Sequence, residues 1–152
     1  MKATLLLRKD HEKIHELFEK FGSASRPGEN GNRGLFEEIR RELTLHLKVE
    51  SEVFYSALRD YSTTRSTVDL VDSLSDDHDK IERLLEEIEN SGNDDKLLES
   101  SVTRLIELVD AHIQKEEDQL YSEARRVFSE QRLEELGLEM EHRRRIFTQI
   151  AA

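Results

Sequence analysis

Four histidines constrain this chain more than any other feature, because each stands where a helical apolar stripe should continue. Apolar residues recur at spacings of three and four in four successive segments. The first carries Leu7, Ile14 and Phe18, the second Phe36, Ile39, Leu43, Val49, Val53 and Ala57. The third carries Val71, Leu74, Ile81, Leu85 and Ile88, and the fourth Val102, Leu105, Val109, Leu120 and Val127. This is the period of an amphipathic helix, and no segment alternates as a strand would. The inward positions that these stripes leave unfilled hold His11, His46, His78 and His112. In the second and fourth segments Glu50 and Glu116 follow one turn later.

The same positions repeat along the chain. His11 and His78 lie 67 residues apart, while His46 and His112, like Glu50 and Glu116, lie 66 apart. Asp10-His11-Glu12-Lys13-Ile14 resembles Asp77-His78-Asp79-Lys80-Ile81, and Tyr55-Ser56 and Tyr121-Ser122 follow their histidines at equal distances. Two helical hairpins of common origin, packed about a pseudo-twofold axis, account for this. The axis would bring the two His-x-x-x-Glu turns together at mid-bundle.

Breaks fall where such hairpins need them. Pro27 and four glycines (Gly22, Gly28, Gly31 and Gly34) predict one long loop over 22–34. A second break lies at Asp60–Arg65, with Ser66-Thr67-Val68-Asp69 as a capping box for the next helix. Ser91-Gly92-Asn93-Asp94 forms a third, and Ser129 is a candidate N-cap for a last helix over about 130–150. The expected fold is all-α: an up-down-up-down antiparallel four-helix bundle over residues 1–128. Residues 129–152 would add a C-terminal helix, packed on the bundle or at a dimer contact.

Burial supplies the argument for a metal. An unpartnered carboxylate or imidazolium in a low-dielectric core costs several kcal/mol or more. Six such groups at core positions need compensation, and a pair of divalent or trivalent metal ions provides it through imidazole nitrogens and carboxylate oxygens. Residues i and i+4 share a helical face, so each His-x-x-x-Glu can address one centre. A single such pair is more often an ordinary surface pair, and a lone inward histidine is more often a hydrogen-bonded core residue. Two pairs plus two further inward histidines, one per helix, favour a metal centre.

A histidine on helix one, His-x-x-x-Glu on helix two, a histidine on helix three and His-x-x-x-Glu on helix four resembles the hemerythrin-like, or HHE cation-binding, domain. The match runs from about Leu5 to Phe128. The resemblance implies a four-helix bundle with a non-haem di-iron centre, two iron ions joined by carboxylates and an oxo or hydroxo group. It implies His11, His46, His78 and His112 as terminal ligands and Glu50 and Glu116 as bridging carboxylates. One further position would stay open to O₂ or peroxide, or be filled by His15 or Glu82, which lie one turn beyond His11 and His78. The oxygen carriers of the family have a second histidine where this chain has Glu82. They also carry an aspartate five residues after the fourth-helix histidine, where this chain has Glu116 at four. Both departures favour redox, peroxide or iron-handling chemistry over reversible O₂ carriage.

Tyr55 and Tyr121 are hydrogen-bond donors near the centre, radical-stabilising residues or amphipathic residues at a bundle end; the last is the favoured expectation. His142, in Glu141-His142-Arg143-Arg144-Arg145, reads as a solvated residue on a basic face. A ferritin-like carboxylate site uses Glu-x-x-His on two helices, and Glu12 to His15 and Glu139 to His142 match that spacing. That rival puts Glu12 off the apolar face and leaves the four aligned histidines unexplained.

Composition narrows the partners. The chain has no cysteine, so disulfides, thiolate nucleophiles and cysteine-held metal clusters are excluded. A formal net charge of −11 argues against nucleic acid and anionic membrane as partners. Leu5-Leu6-Leu7, the longest early apolar run, is too short for a signal sequence or a membrane span. The expected protein is cytoplasmic and binds or reacts with O₂, peroxide, NO or related small oxidants. Manganese or zinc also suits these ligands. Peroxide disproportionation of the catalase type needs no electron source, whereas other turnover needs an external reductant. The alternative is a non-catalytic carrier or sensor of O₂ or iron.

Overall fold

The computed structural model describes residues 1–23, 31–61 and 64–151, and among them every regular element is helical. Helix α1 spans Ala3–Ser23. Helix α2 covers 31–61, as an α-helical part Gly31–Val49, a π-helical part Glu50–Tyr55 and an α-helical end Ser56–Tyr61. Helix α3 is Arg65–Glu89. Helix α4 covers 95–127, as Asp95–Lys115, a π-helical part Glu116–Leu120 and Tyr121–Val127. Helix α5 is Glu130–Ala151. Hairpins α1–α2 and α3–α4 make the four-helix bundle, and α5 lies along α1 and α2.

The helix boundaries refine the sequence reading. Helices run to Ser23 and from Gly31, so Gly22, Gly31 and Gly34 are helical rather than parts of a loop. Pro27 and Gly28 lie outside the described residues. Helix α3 starts at Arg65 behind Thr64, whose extended backbone makes it the N-cap, two residues earlier than the expected capping box. Ser66 is therefore an exposed residue within the helix. At the third break Gly92 takes φ +80°, a left-handed conformation that glycine adopts without a Cβ clash. Asp94 then caps α4 by accepting from the backbone N–H groups of Lys96 and Leu97. Ser129 Oγ accepts from Arg132 N–H at 3.1 Å, as expected of the N-cap of α5.

Two apolar clusters fill the bundle, one towards each end. One gathers Leu7, Val53, Phe54, Leu58, Val71, Leu74 and Leu120 with Leu133, Leu136 and Met140 of α5. The other gathers Ile14, Phe18, Phe36, Ile39, Leu43, Ile81, Leu85, Val102 and Val109. In every bundle helix the inward histidine falls between residues of the first cluster and residues of the second, so a polar layer crosses mid-bundle. Helix α5 seals the first cluster. A Cβ on Gly137 would stand 1.9 Å from the carbonyl oxygen of Met1, so glycine is what lets α5 pass under the start of α1. Glu42 pairs with Lys13 of α1 and Arg144 of α5, tying three helices beside the polar layer.

Candidate metal centre

The polar layer holds His11 from α1, His46 and Glu50 from α2, His78 from α3, and His112 and Glu116 from α4. All six are buried, and Glu50 and Glu116 have no accessible surface. They form two overlapping groups: His11, His46, Glu50 and Glu116, and His78, His112, Glu50 and Glu116. Within each group one ligand atom per residue lies within 4.8 Å of all the others. Both carboxylates belong to both groups, which is the geometry a pair of bridged ions requires.

The imidazoles face the carboxylates through Nε2. His78 Nε2 lies 2.9 Å from Glu50 Oε1, and His112 Nε2 lies 3.2 Å from Glu116 Oε1. His11 Nε2 stands 3.4 Å from Glu116 Oε1 and His46 Nε2 3.7 Å from Glu50 Oε1. Each opposite nitrogen, Nδ1, is held from behind. Asp10 Oδ2 lies 3.0 Å from His46 and Asp77 Oδ2 3.1 Å from His112. Glu117 Oε2 lies 2.8 Å from His11, and Ser51 Oγ 2.8 Å from His78. The carboxylates accept the Nδ1–H and direct Nε2 towards the centre, while Ser51 Oγ can accept from His78 Nδ1 or donate to it.

Buried polar atoms without partners point to what the layer accommodates. Nε2 of His11, Nε2 of His46, Glu50 Oε2 and Glu116 Oε1 are all buried and lack a hydrogen bond. Leaving such atoms unsatisfied is costly. Two histidines and two carboxylates around each of two points make a hard-to-borderline donor set that suits iron, manganese or zinc. The residues present therefore fit a metal pair.

Charge coupling within the layer is strong. Burial alone would push His112 down, but the Glu116 charge and contacts to Asp77, Glu116 and Glu50 push it up to about 12. His11 is also raised: Glu116, Glu50 and Glu117 outweigh its burial. Burial alone would raise Asp77, yet hydrogen bonds from His112 and Lys115 hold it at about 2. Glu116, despite full burial, is held well below its ordinary value by His112 and His11.

Tyr55 departs from its expected place at a bundle end. It is fully buried, and its hydroxyl lies 2.7 Å from Glu116 Oε2, 3.0 Å from Glu50 Oε1 and 3.1 Å from His78 Nε2. The π turn explains the placement. Five residues of α-helix rotate about 500°, which would turn Tyr55 some 140° away from Glu50. In a π turn i and i+5 come into register, and Tyr55 reaches Glu50 on its own helix. Burial, then the charges of Glu116 and Glu50, push its hydroxyl well above 10. The matching turn in α4 closes with the Tyr121 N–H donating to the Glu116 carbonyl. Tyr121 is buried too, with its ring stacked 6.2 Å from that of His11.

Neither additional ligand candidate is drawn into the layer. His15 is half-exposed and its Nε2 pairs with Asp110 Oδ1 at 3.0 Å, because one turn along α1 carries it about 5.4 Å past the level of His11. Glu82 is exposed on the outer side of α3. His142, Glu12 and Glu139 are exposed as well, so the ferritin-like pairs do not converge. Sequence reading missed the residues behind the imidazoles. For Asp10 and Asp77 the signal was present in the repeated Asp-His, but each aspartate serves a histidine on the next helix rather than its neighbour.

Comparison with known proteins places this geometry in a family. The chain is similar to a solved hemerythrin HHE cation binding domain-containing protein from Mycobacterium kansasii. That likeness has a TM-score of 0.83 and 24% identity, and covers 99% of this chain and 90% of that one; it speaks to the fold. The chain is 28% identical over 134 residues to a DNA nickase of Nostoc sp. (strain PCC 7120 / SAG 25.82 / UTEX 2576). The match covers 88% of this chain but 36% of the nickase, so the chain spans about a third of that relative's length. The family model of the hemerythrin HHE cation binding domain matches residues 3–144, nearly the whole chain including most of α5, and the protein belongs to that family.

Proposed function

We propose that this protein is a non-haem di-iron protein that binds or reacts with O₂, peroxide or related small oxidants in the bundle core. His11 and His46 would hold one ion and His78 and His112 the other, with Glu50 and Glu116 shared between them. The observation that carries this reading is the sharing of both buried carboxylates by two four-residue groups. Bound iron would supply redox chemistry and an attachment point for the oxidant. The chain's own residues do the rest. Asp10, Asp77, Glu117 and Ser51 orient the imidazoles, and the apolar clusters on either side keep bulk water out. The Tyr55 hydroxyl holds its proton between Glu116 Oε2 and Glu50 Oε1, where it can be passed to or taken from a small molecule in the layer.

Among reactions of small oxidants, peroxide disproportionation fits best, because it needs no flavin, nicotinamide or thiol to supply electrons. The chain's acidity gives no support to carrying DNA chemistry over from the nickase. Oxygen evolution from peroxide, followed with an electrode on protein grown with iron, tests the reading. Turnover that disappears in Glu116→Ala supports it. An iron-loaded protein whose spectrum responds to O₂ or peroxide without turnover would instead be a carrier or sensor.

A further inference from the structure

The two halves of the chain match at every candidate ligand but not behind them. His46 and His112 are backed alike, by Asp10 and Asp77. His11 and His78 are not. The residues after Glu116 and Glu50 are Glu117 and Ser51, so a carboxylate backs His11 at 2.8 Å and a neutral hydroxyl backs His78 at 2.8 Å. The tyrosines differ in the same sense. The hydroxyl of Tyr55 lies against His78, Glu50 and Glu116, whereas that of Tyr121 is buried and has no hydrogen-bond partner.

These differences act on the donors directly. A carboxylate accepting the Nδ1–H fixes the tautomer that leaves Nε2 free and makes that nitrogen more basic. A serine hydroxyl can accept from Nδ1 or donate to it, so it fixes the tautomer less firmly and pulls less charge onto the ring. The charges paired directly with the backing carboxylates balance on each side. Arg8 and Arg144 stand beside Glu117 and Asp10 on one side, and Lys115 beside Asp77 on the other. What remains is the hydrogen bond itself.

We infer that the two metal positions are unequal, and that Glu117 is the positioning residue that makes the His11/His46 position the tighter one, filled first. The inference rests on the di-iron reading above.

Anaerobic titration of the metal-free full-length protein with ferrous iron, against a chromophoric ferrous chelator, tests it. Wild type should take up two ions in two resolved steps. Glu117→Ser should weaken the tighter step about 10–100-fold, the usual effect of losing such a partner, and leave the weaker step in place. Glu117→Gln, which keeps size and an acceptor but not the charge, should fall between. Ser51→Ala should touch only the weaker step. Two equal steps in wild type, or an unchanged tight step in Glu117→Ser, would overturn the inference while leaving the di-iron reading intact. Uptake of no iron at all by wild type would overturn that reading and this inference together.

Discussion

At the residue scale the layer is held by mutual dependence of acids and imidazoles. In the metal-free protein His112 is pushed up to about 12, so its protonated form stabilises the fold. That contribution is complete below its ordinary 6.5 and is lost progressively as pH climbs towards 12. The Tm of the metal-free protein should therefore fall between pH 7 and 10, while the iron-loaded protein, whose imidazoles are neutral at every pH in that range, should lose less. Parallel slopes in the two forms would contradict the charge state assigned to His112. Tyr55 gives a second prediction. Tyr55→Phe removes one hydroxyl that touches both carboxylates, and should cost about 10–100-fold in iron affinity or peroxide turnover and shift the visible spectrum. Unchanged affinity, turnover and spectrum would make Tyr55 a core filler and nothing more.

At the element scale the two π turns and the fifth helix decide what the bundle can do. Each π turn starts on a shared carboxylate, Glu50 or Glu116, and brings the residue five positions on into register. Regular α-helical periodicity could not have announced this, which is why Tyr55 read as a bundle-end residue while His46 and Glu50, one α turn apart, read as the inward residues they are. Helix α5 was legible as a helix but not as a neighbour. Its buried face, Leu133, Leu136 and Met140, is a stripe that would suit a partner chain as well as its own bundle. Contact with Met1 and Ala3 through Gly137 ties it to α1. Alanine for glycine inside a helix ordinarily adds about 0.5–1 kcal/mol of stability. Here the sign should reverse: Gly137→Ala should destabilise by about 1–3 kcal/mol as α1 or α5 is forced aside. Thermal unfolding checks this, and a raised Tm would contradict the close packing of Gly137 against Met1.

At the scale of the whole molecule, fold and centre come from one pattern. Inward positions of four helices alternate between apolar residues and one polar layer, and the 66–67-residue repeat places that layer at the same height in both hairpins. The six candidates were legible because they interrupt a periodic stripe. His15 and Glu82 also lie one turn from a histidine, yet spacing along one helix does not tell whether the turn lies level with the other three. Asp10, Asp77, Glu117 and Ser51 act across helices, so only the packed bundle reveals them. Two ions held in the layer through shared carboxylates underlie the proposed function. Iron per chain, measured on wild type and Glu116→Ala grown with iron, tests it most directly. Two irons in wild type and loss of both in the variant are expected. Two irons retained in Glu116→Ala, or none in wild type, would contradict it.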